Sequence, residues 1–220
     1  MRHVAIAKHT TEIYLVRHGE TTLSTGGQYI GSTDVPLSEH GREQARRLAE
    51  RLRTIHFGAC YCSRMERCRE TARIAVGPHQ LEMSPVADIQ EIDYGQWEGL
   101  SLQEMEALAP DTFRQWMRDP AVVKAPGGES GQDVLTRIRP VFERLAVTHL
   151  GERILIVAHR TVNRLWLCHI LGYPLSEYRH AVGQGFTALN IIEYETDRHE
   201  PVFSVIRVND GQHLEQLKGV

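Results

Sequence analysis

Short runs of branched and aromatic residues, each closed by a reactive side chain and followed by a helical stripe, constrain this chain most. Arg153-Ile-Leu-Ile-Val-Ala158 stops at His159, and Glu12-Ile-Tyr-Leu-Val16 stops at Arg17-His18-Gly19. Runs this short and this apolar fit strands buried on both faces of a sheet. Ala59 to Cys62 is a second strand, and Leu81 to Ile89 contains a third, weaker one. Ala188 to Tyr194 and Val202 to Val208 read as two final strands, joined by a turn near Asp197 to Pro201.

Helical stripes fill the intervals. Pro36-Leu37-Ser38 opens a helix with Ser38 as N-cap, and Ala45, Leu48, Ala49 and Leu52 follow at helical spacing. Ser63 is expected to cap a second helix whose core face is Met65, Cys68, Ala72 and Ala75, with Arg64, Arg69 and Arg73 on a solvated face. Val134, Ile138, Phe142 and Leu145 mark another helix, and Thr161 to Leu171 the last. Between Asp93 and Asp133 the pattern is helical but broken by Pro and Gly, as in a small cap beside the sheet. Trp97 and Trp116 within it read as packing residues.

Strands alternating with helices argue for an α/β fold: a three-layer α/β/α sandwich with a mainly parallel sheet and a small helical cap insertion. The 220 residues suit one domain over the whole chain, with its core at about 12–92 and 129–210 and the cap at about 93–128. The first eleven residues read as an extension.

Charge narrows the partners. Lys and Arg number 25 against 28 Asp and Glu, so no bulk positive field is present to hold a nucleic acid or an anionic membrane. No apolar stretch approaches the ~20 residues of a membrane span, and the apolar run Val4 to Ala7 is too short for a secretory signal. A cytoplasmic protein is expected, with Cys60, Cys62, Cys68 and Cys168 as reduced, buried thiols rather than a disulfide framework or a zinc site. The 12 histidines invite a metal reading, which no ligand spacing supports.

In open α/β sheets, sites gather at the carboxyl ends of the strands. Those ends here carry Arg17-His18, Arg67 just inside a helix N-terminus, Glu91 and His159. Two histidines, two arginines and a carboxylate suit phosphoryl transfer through a phosphohistidine. Imidazole, with a reference pKa of ~6.5, is a competent nucleophile at neutral pH. Arginine forks neutralise phosphoryl oxygens, a helix N-terminus aimed at the same anion adds N–H groups, and Glu91 protonates the leaving alkoxide. Asp93 is the residue most easily confused with Glu91.

Leu15-Val-Arg-His-Gly-Glu-Thr21 resembles the signature of the histidine phosphatase superfamily, the phosphoglycerate mutase-like family, in its phosphatase branch. Ser32 to Ala45, Cys62-Ser-Arg-Met-Glu-Arg67, Glu91-Ile-Asp-Tyr-Gly-Gln-Trp-Glu-Gly99, Pro126-Gly-Gly-Glu-Ser130 and Ile154 to His159 resemble its further blocks, in order. The resemblance implies His18 as the phosphorylated nucleophile, with Arg17, Arg67 and His159 on the phosphoryl group. It also implies Glu91 as acid and then base, no metal and no cofactor.

The chain departs from the pattern where substrate is chosen. Ser24 stands where the family often has Asn; its hydroxyl is a shorter phosphate ligand. Gln28 replaces a common Arg, and Arg160 a common Gly, either restoring a charge at the pocket mouth or pointing into solvent. Thr21, Gln28 and Arg160 are therefore candidate specificity residues. The expected activity is hydrolysis of small phosphorylated metabolites, with phosphoserine, α-ribazole phosphate, sugar phosphates and phosphoglycerates all open. A phosphoglycerate mutase primed by 2,3-bisphosphoglycerate is the alternative, disfavoured because no proline run or adjacent arginine pair lies between Glu91 and Glu129. An inactive phosphate-binding scaffold is a third reading, opposed by the intact set. Val202 to Val208 leaves a homodimer through a sheet edge and a monomer both open.

Overall fold

The computed structural model describes residues 7–24 and 26–219. A six-stranded mixed sheet forms the middle layer, in the order β3-β2-β4-β1-β5-β6. Its strands are β1 (Thr10–Arg17), β2 (Ala59–Ser63), β3 (Met83–Val86), β4 (Arg153–Ala158), β5 (Leu189–Glu195) and β6 (Val202–Asp210). The pairs β2/β3, β2/β4 and β1/β4 are parallel, while β1/β5 and β5/β6 are antiparallel. The expected extension is shortened from its C-terminal side, because Thr10 and Thr11 already belong to β1; residues 1–6 lie outside the described residues.

The strict alternation of side chains along each strand sorts them into two cores. Tyr14, Val16, Cys60, Cys62, Leu155 and Val157 meet α1 (Glu39–Leu52) and α2 (Glu66–Val76) through Leu48, Leu52, Cys68 and Ala72. Ile13, Leu15, Ile154 and Ile156 meet α5 (Gly131–Thr148) and α6 (Arg160–Leu171) on the other face. Phe142 of α5 stacks on Trp166 of α6 with ring centroids 4.8 Å apart, which locks that layer. The short helices α3 (Leu102–Leu108) and α4 (Pro110–Arg118) bring Met105, Phe113 and Trp116 into this second core, beside Trp97. Both tryptophans are fully buried, as packing residues. A last short helix, α7 (Tyr178–Ala181), precedes β5.

The caps follow local chemistry. Ser38 accepts from the Gly41 amide at the start of α1, and Ser130 forms a reciprocal capping box with Asp133 at the start of α5. Ser63 does not cap α2: it is the final residue of β2, the chain bends at Arg64 and Met65, and the N-cap position falls to Met65. Arg64, Arg69 and Arg73 are exposed as expected, the last two facing Glu66.

Candidate active site

Strand register assembles the site. Arg17 of β1 pairs with Ala158 of the adjacent parallel strand β4, so the next residues, His18 and His159, leave the sheet side by side. Their ring centroids are 5.2 Å apart. Above His18 opens a cavity of about 230 Å³ whose polar lining includes Arg17, His18, Arg67, Glu91 and Arg160, with Thr21, Ser24 and Gln28 at the loop side. His159 is fully buried beneath this lining rather than part of it.

His18 Nδ1 lies 2.7 Å from the carbonyl oxygen of Gly19. A carbonyl only accepts, so Nδ1 carries the proton and Nε2 keeps its lone pair. Burial, reinforced by the positive charges of Arg67 and Arg17, holds the imidazole well below the ordinary histidine pKa. The neutral, nucleophilic form therefore persists at physiological pH. His159 is held neutral by the same two causes, burial first and Arg67 second. Arg67 Nε donates to its Nδ1 at 3.3 Å, which assigns the remaining ring proton to Nε2.

Arg67 sits in the first turn of α2 and is 1% exposed, a position a guanidinium occupies only when it is well bonded. Its Nη1 donates to Thr33 O at 2.8 Å and its Nη2 to Gly31 O at 2.7 Å. With Nε on His159, three of its five N–H groups are used, and two are left for an anion. The 31–33 segment is itself pinned by Glu98. That carboxylate accepts from the amides of Gly31, Ser32 and Tyr94 and from the Thr33 hydroxyl. Burial pushes the Glu98 carboxyl up, but these hydrogen bonds outweigh it and leave it below its ordinary value. Only glycine fits at 31, where a Cβ would stand 2.0 Å from the Ile92 carbonyl oxygen.

Arg17 is held differently. Its Nη1 donates to Gln184 O at 2.8 Å and its guanidinium lies 3.8 Å above the centre of the Phe186 ring. Burial, then the nearby charge of Arg160, pushes its pKa down to about 9, so it stays protonated at neutral pH. The Gln184 side chain is fixed by Asn163 and Asn190, and Asn190 reaches back to the Leu15 carbonyl. Thr187, just beyond Phe186, carries a φ of 49°, an uncommon conformation for a β-branched residue. Its amide bonds the His18 carbonyl, so the strained turn is tied to the nucleophile.

Glu91 is 7% exposed and lines the cavity. One carboxylate oxygen accepts from its neighbour's amide, Ile92, at 3.0 Å, and the other from Thr161 N–H at the start of α6, at 3.2 Å. Asp93 is excluded from the cavity, because its Oδ1 accepts from the Gly95 amide and from Ser32 Oγ. Two of the helix N-terminal amides near the site are already bonded to carboxylates. The Thr161 amide of α6 is occupied by Glu91, and the Glu66 amide of α2 by Asp34.

Every specificity candidate lines the cavity. Ser24 Oγ accepts from the Thr21 amide at 2.9 Å and shares a hydrogen bond with Thr21 Oγ1, so both residues also brace the loop. Of the two placements open to Arg160, the structure has the cavity wall. Leu23, Ile30, Tyr94 and Phe186 form the apolar part of the wall and carry no sequence signal of their own.

The family model described as histidine phosphatase superfamily (branch 1) matches residues 13–208. Phosphoserine phosphatase 1 of Hydrogenobacter thermophilus is 31% identical over 203 residues, covering 92% of this chain and 94% of its own length. The adenosylcobalamin/α-ribazole phosphatase of Escherichia coli is 29% identical over 181 residues, covering 81% and 89%. Among solved structures, Bacillus stearothermophilus YhfR superposes with a TM-score of 0.85 at 31% identity, covering 93% of this chain and 100% of that one. A mycobacterial glucosyl-3-phosphoglycerate phosphatase gives 0.81 at 25% identity, covering 91% and 99%.

Proposed function

The chain belongs to the histidine phosphatase superfamily and is a phosphoric monoester hydrolase, and from that premise we propose how it works. It hydrolyses small phosphorylated metabolites without a metal, through a phosphohistidine on His18 and with Glu91 as proton donor. The observation that carries this reading is the Nδ1 bond from His18 to the Gly19 carbonyl, which leaves Nε2 as the free nitrogen beneath an arginine-lined cavity.

The steps follow from the residues. Nε2 of His18 attacks phosphorus while the P–O ester bond breaks, and the carboxyl proton of Glu91 passes to the departing alkoxide. Arg17 and the two free N–H groups of Arg67 hold the equatorial oxygens, supplying the charge stabilisation that phosphoryl transfer requires. Water then attacks phosphorus, the Glu91 carboxylate takes its proton, and the P–N bond breaks to return neutral His18. His159 backs the nucleophile and orients Arg67 through their 3.3 Å contact.

Several observations support the finer points. A cavity of about 230 Å³ suits a small leaving group. Leu23, Ser24 and Gln28 are exposed at its mouth, which admits water and favours hydrolysis over mutase chemistry. We read the chain as one domain, with a core at 12–92 and 129–210 and a cap at 93–128. A cytoplasmic setting is supported by four cysteines that are all free and buried. No helix among the described residues is long and apolar enough to cross a membrane. A homodimer through the edge strand β6 is supported by Ile206 and Val208, which are exposed there.

The test is hydrolysis of p-nitrophenyl phosphate in EDTA. Activity is expected to survive chelation and to vanish in His18→Ala, with an acid-labile, alkali-stable phosphoryl label trapped on the parent protein alone. Activity that persists in His18→Ala, or that EDTA abolishes, refutes the mechanism.

A further inference from the structure

Arg160 breaks three local rules at once. It is the first residue of α6, where the positive end of the helix disfavours a cation. Arg164 stands four residues on, a like-charged pair on one helix face. Arg17 lies close enough for Arg160 to be the largest charge effect on it. Glu91 is the carboxylate on the same cavity wall, but its oxygens accept from the Ile92 and Thr161 amides, and among the described residues the Arg160 side chain has no hydrogen bond, ion pair or aromatic contact. Arg164, by contrast, donates its Nε to the Val182 carbonyl at 2.9 Å. A half-buried cation retained against three unfavourable neighbours, and facing a cavity, is a cation waiting for an anion.

The phosphoryl group does not account for it. Arg17 and Arg67 already bring two positive charges to a dianion, anchored by Gln184 and by the 31–33 carbonyls. Position adds a direction. Glu91 gives its proton to the leaving oxygen, so the alcohol portion of the substrate lies on the Glu91 side of the cavity. Thr161, the residue after Arg160, is the one whose amide holds Glu91. Arg160 therefore enters the cavity from the leaving-group side, and the small volume keeps any group it meets within a few bonds of the ester.

We propose that Arg160 is a specificity-determining residue that binds a second anionic group on the alcohol portion of the substrate, so the preferred substrates are small phosphomonoesters bearing a carboxylate or second phosphate near the ester. This rests on the phosphatase reading and narrows it to acidic esters.

The test compares matched pairs by kcat/KM. 3-Phosphoglycerate is set against glycerol 3-phosphate, in which a hydroxymethyl group replaces the carboxylate. Propane-1,3-diol bisphosphate is set against its monophosphate. The parent protein is expected to prefer the anionic member of at least one pair by about 10- to 100-fold, the value of one charge-assisted contact. Which pair shows it distinguishes carboxylate from phosphate. In Arg160→Gln the preference is expected to fall to within about threefold of unity through KM, and Arg160→Lys to keep part of it. A parent that hydrolyses both members of both pairs equally overturns the proposal while leaving the phosphatase reading intact, and needs no variant to fold. A preference that survives Arg160→Gln overturns it as well. A parent that hydrolyses p-nitrophenyl phosphate but none of the four esters overturns the proposal alone, and one that hydrolyses none of the five overturns the phosphatase reading with it.

Discussion

Glu98 touches no substrate, yet its removal should be felt at the phosphate. Its carboxylate gathers the amides of Gly31, Ser32 and Tyr94 and the Thr33 hydroxyl. The segment so held presents the two carbonyls that aim Arg67. In Glu98→Gln one acceptor oxygen becomes an NH₂ group facing donors. Two charge-assisted bonds are lost, each worth roughly 1.5–3 kcal/mol when fully buried. Glu98 is only half-buried, so water recovers part of this, and a net loss of about 2–3 kcal/mol is expected. If half of that loss reaches the aim of Arg67, inorganic phosphate should inhibit roughly 5- to 10-fold less tightly, because 1.4 kcal/mol is a tenfold change. The assay is competitive inhibition of p-nitrophenyl phosphate hydrolysis at a temperature well below the variant's melting point. A purely structural role would lower Tm and leave the inhibition constant alone. A Glu98→Gln protein with phosphate inhibition within twofold of the parent refutes the chain of positioning from Glu98 to Arg67.

Three further outcomes are expected. Arg67→Lys should lower kcat/KM by about 10- to 100-fold, mainly through KM, since an ammonium has three donors and cannot keep the three anchors while also meeting the phosphoryl oxygens. His18 and His159 are neutral in the folded protein but take up protons in the unfolded chain below about pH 6.5. Stability should therefore fall as pH drops below that value, by up to about 1.4 kcal/mol per pH unit for each histidine, until the folded-state pKa is reached. Urea midpoints at pH 7.5 and 5.5 measure this, and NMR titration should show both rings unprotonated as pH passes 6.5. Trp116→Ala should destabilise by about 3–5 kcal/mol in urea unfolding, because it empties a fully buried site flanked by Trp97, Tyr94 and Tyr29.

What could be read from the sequence was local. The apolar runs give β1 and β4 closely because their side chains are buried on both faces and tolerate little else. Ser38 announces its helix because an N-cap bond spans only three residues. Ser63 misled for the same reason: a serine before a helical stripe resembles a cap, and nothing local shows that β2 runs through Ser63 and that a two-residue bend separates it from α2. His18 and His159 stand out because each directly follows a strand, where this class of fold collects chemistry; Arg67 lies in the first turn of α2, and Glu91 stands five residues beyond β3, past a turn at Ala87–Ile89, rather than at the strand end expected for it. The wall formed by Phe186 and Tyr94 could not be found this way, since an aromatic ring in a loop has the same local signature whether it faces core, solvent or cavity. The direction of Arg160 and the reach of Glu98 to the 31–33 segment depend on contacts between distant parts of the chain. Those contacts exist only in three dimensions.

One consequence concerns the order of events during synthesis. β4 lies between β2 and β1, and the two histidines become neighbours only through its pairing with β1. A nascent chain that has emerged through α5 already contains His18, Arg17, Arg67 and Glu91 but has no β4. Its only strand pair is β2/β3, β1 has no partner strand, and Arg67 lacks the ring that receives its Nε. Catalytic competence should therefore switch on late and abruptly, when the central strand slides into its slot. The appearance of activity then reports closure of the sheet rather than formation of any single helix or hairpin.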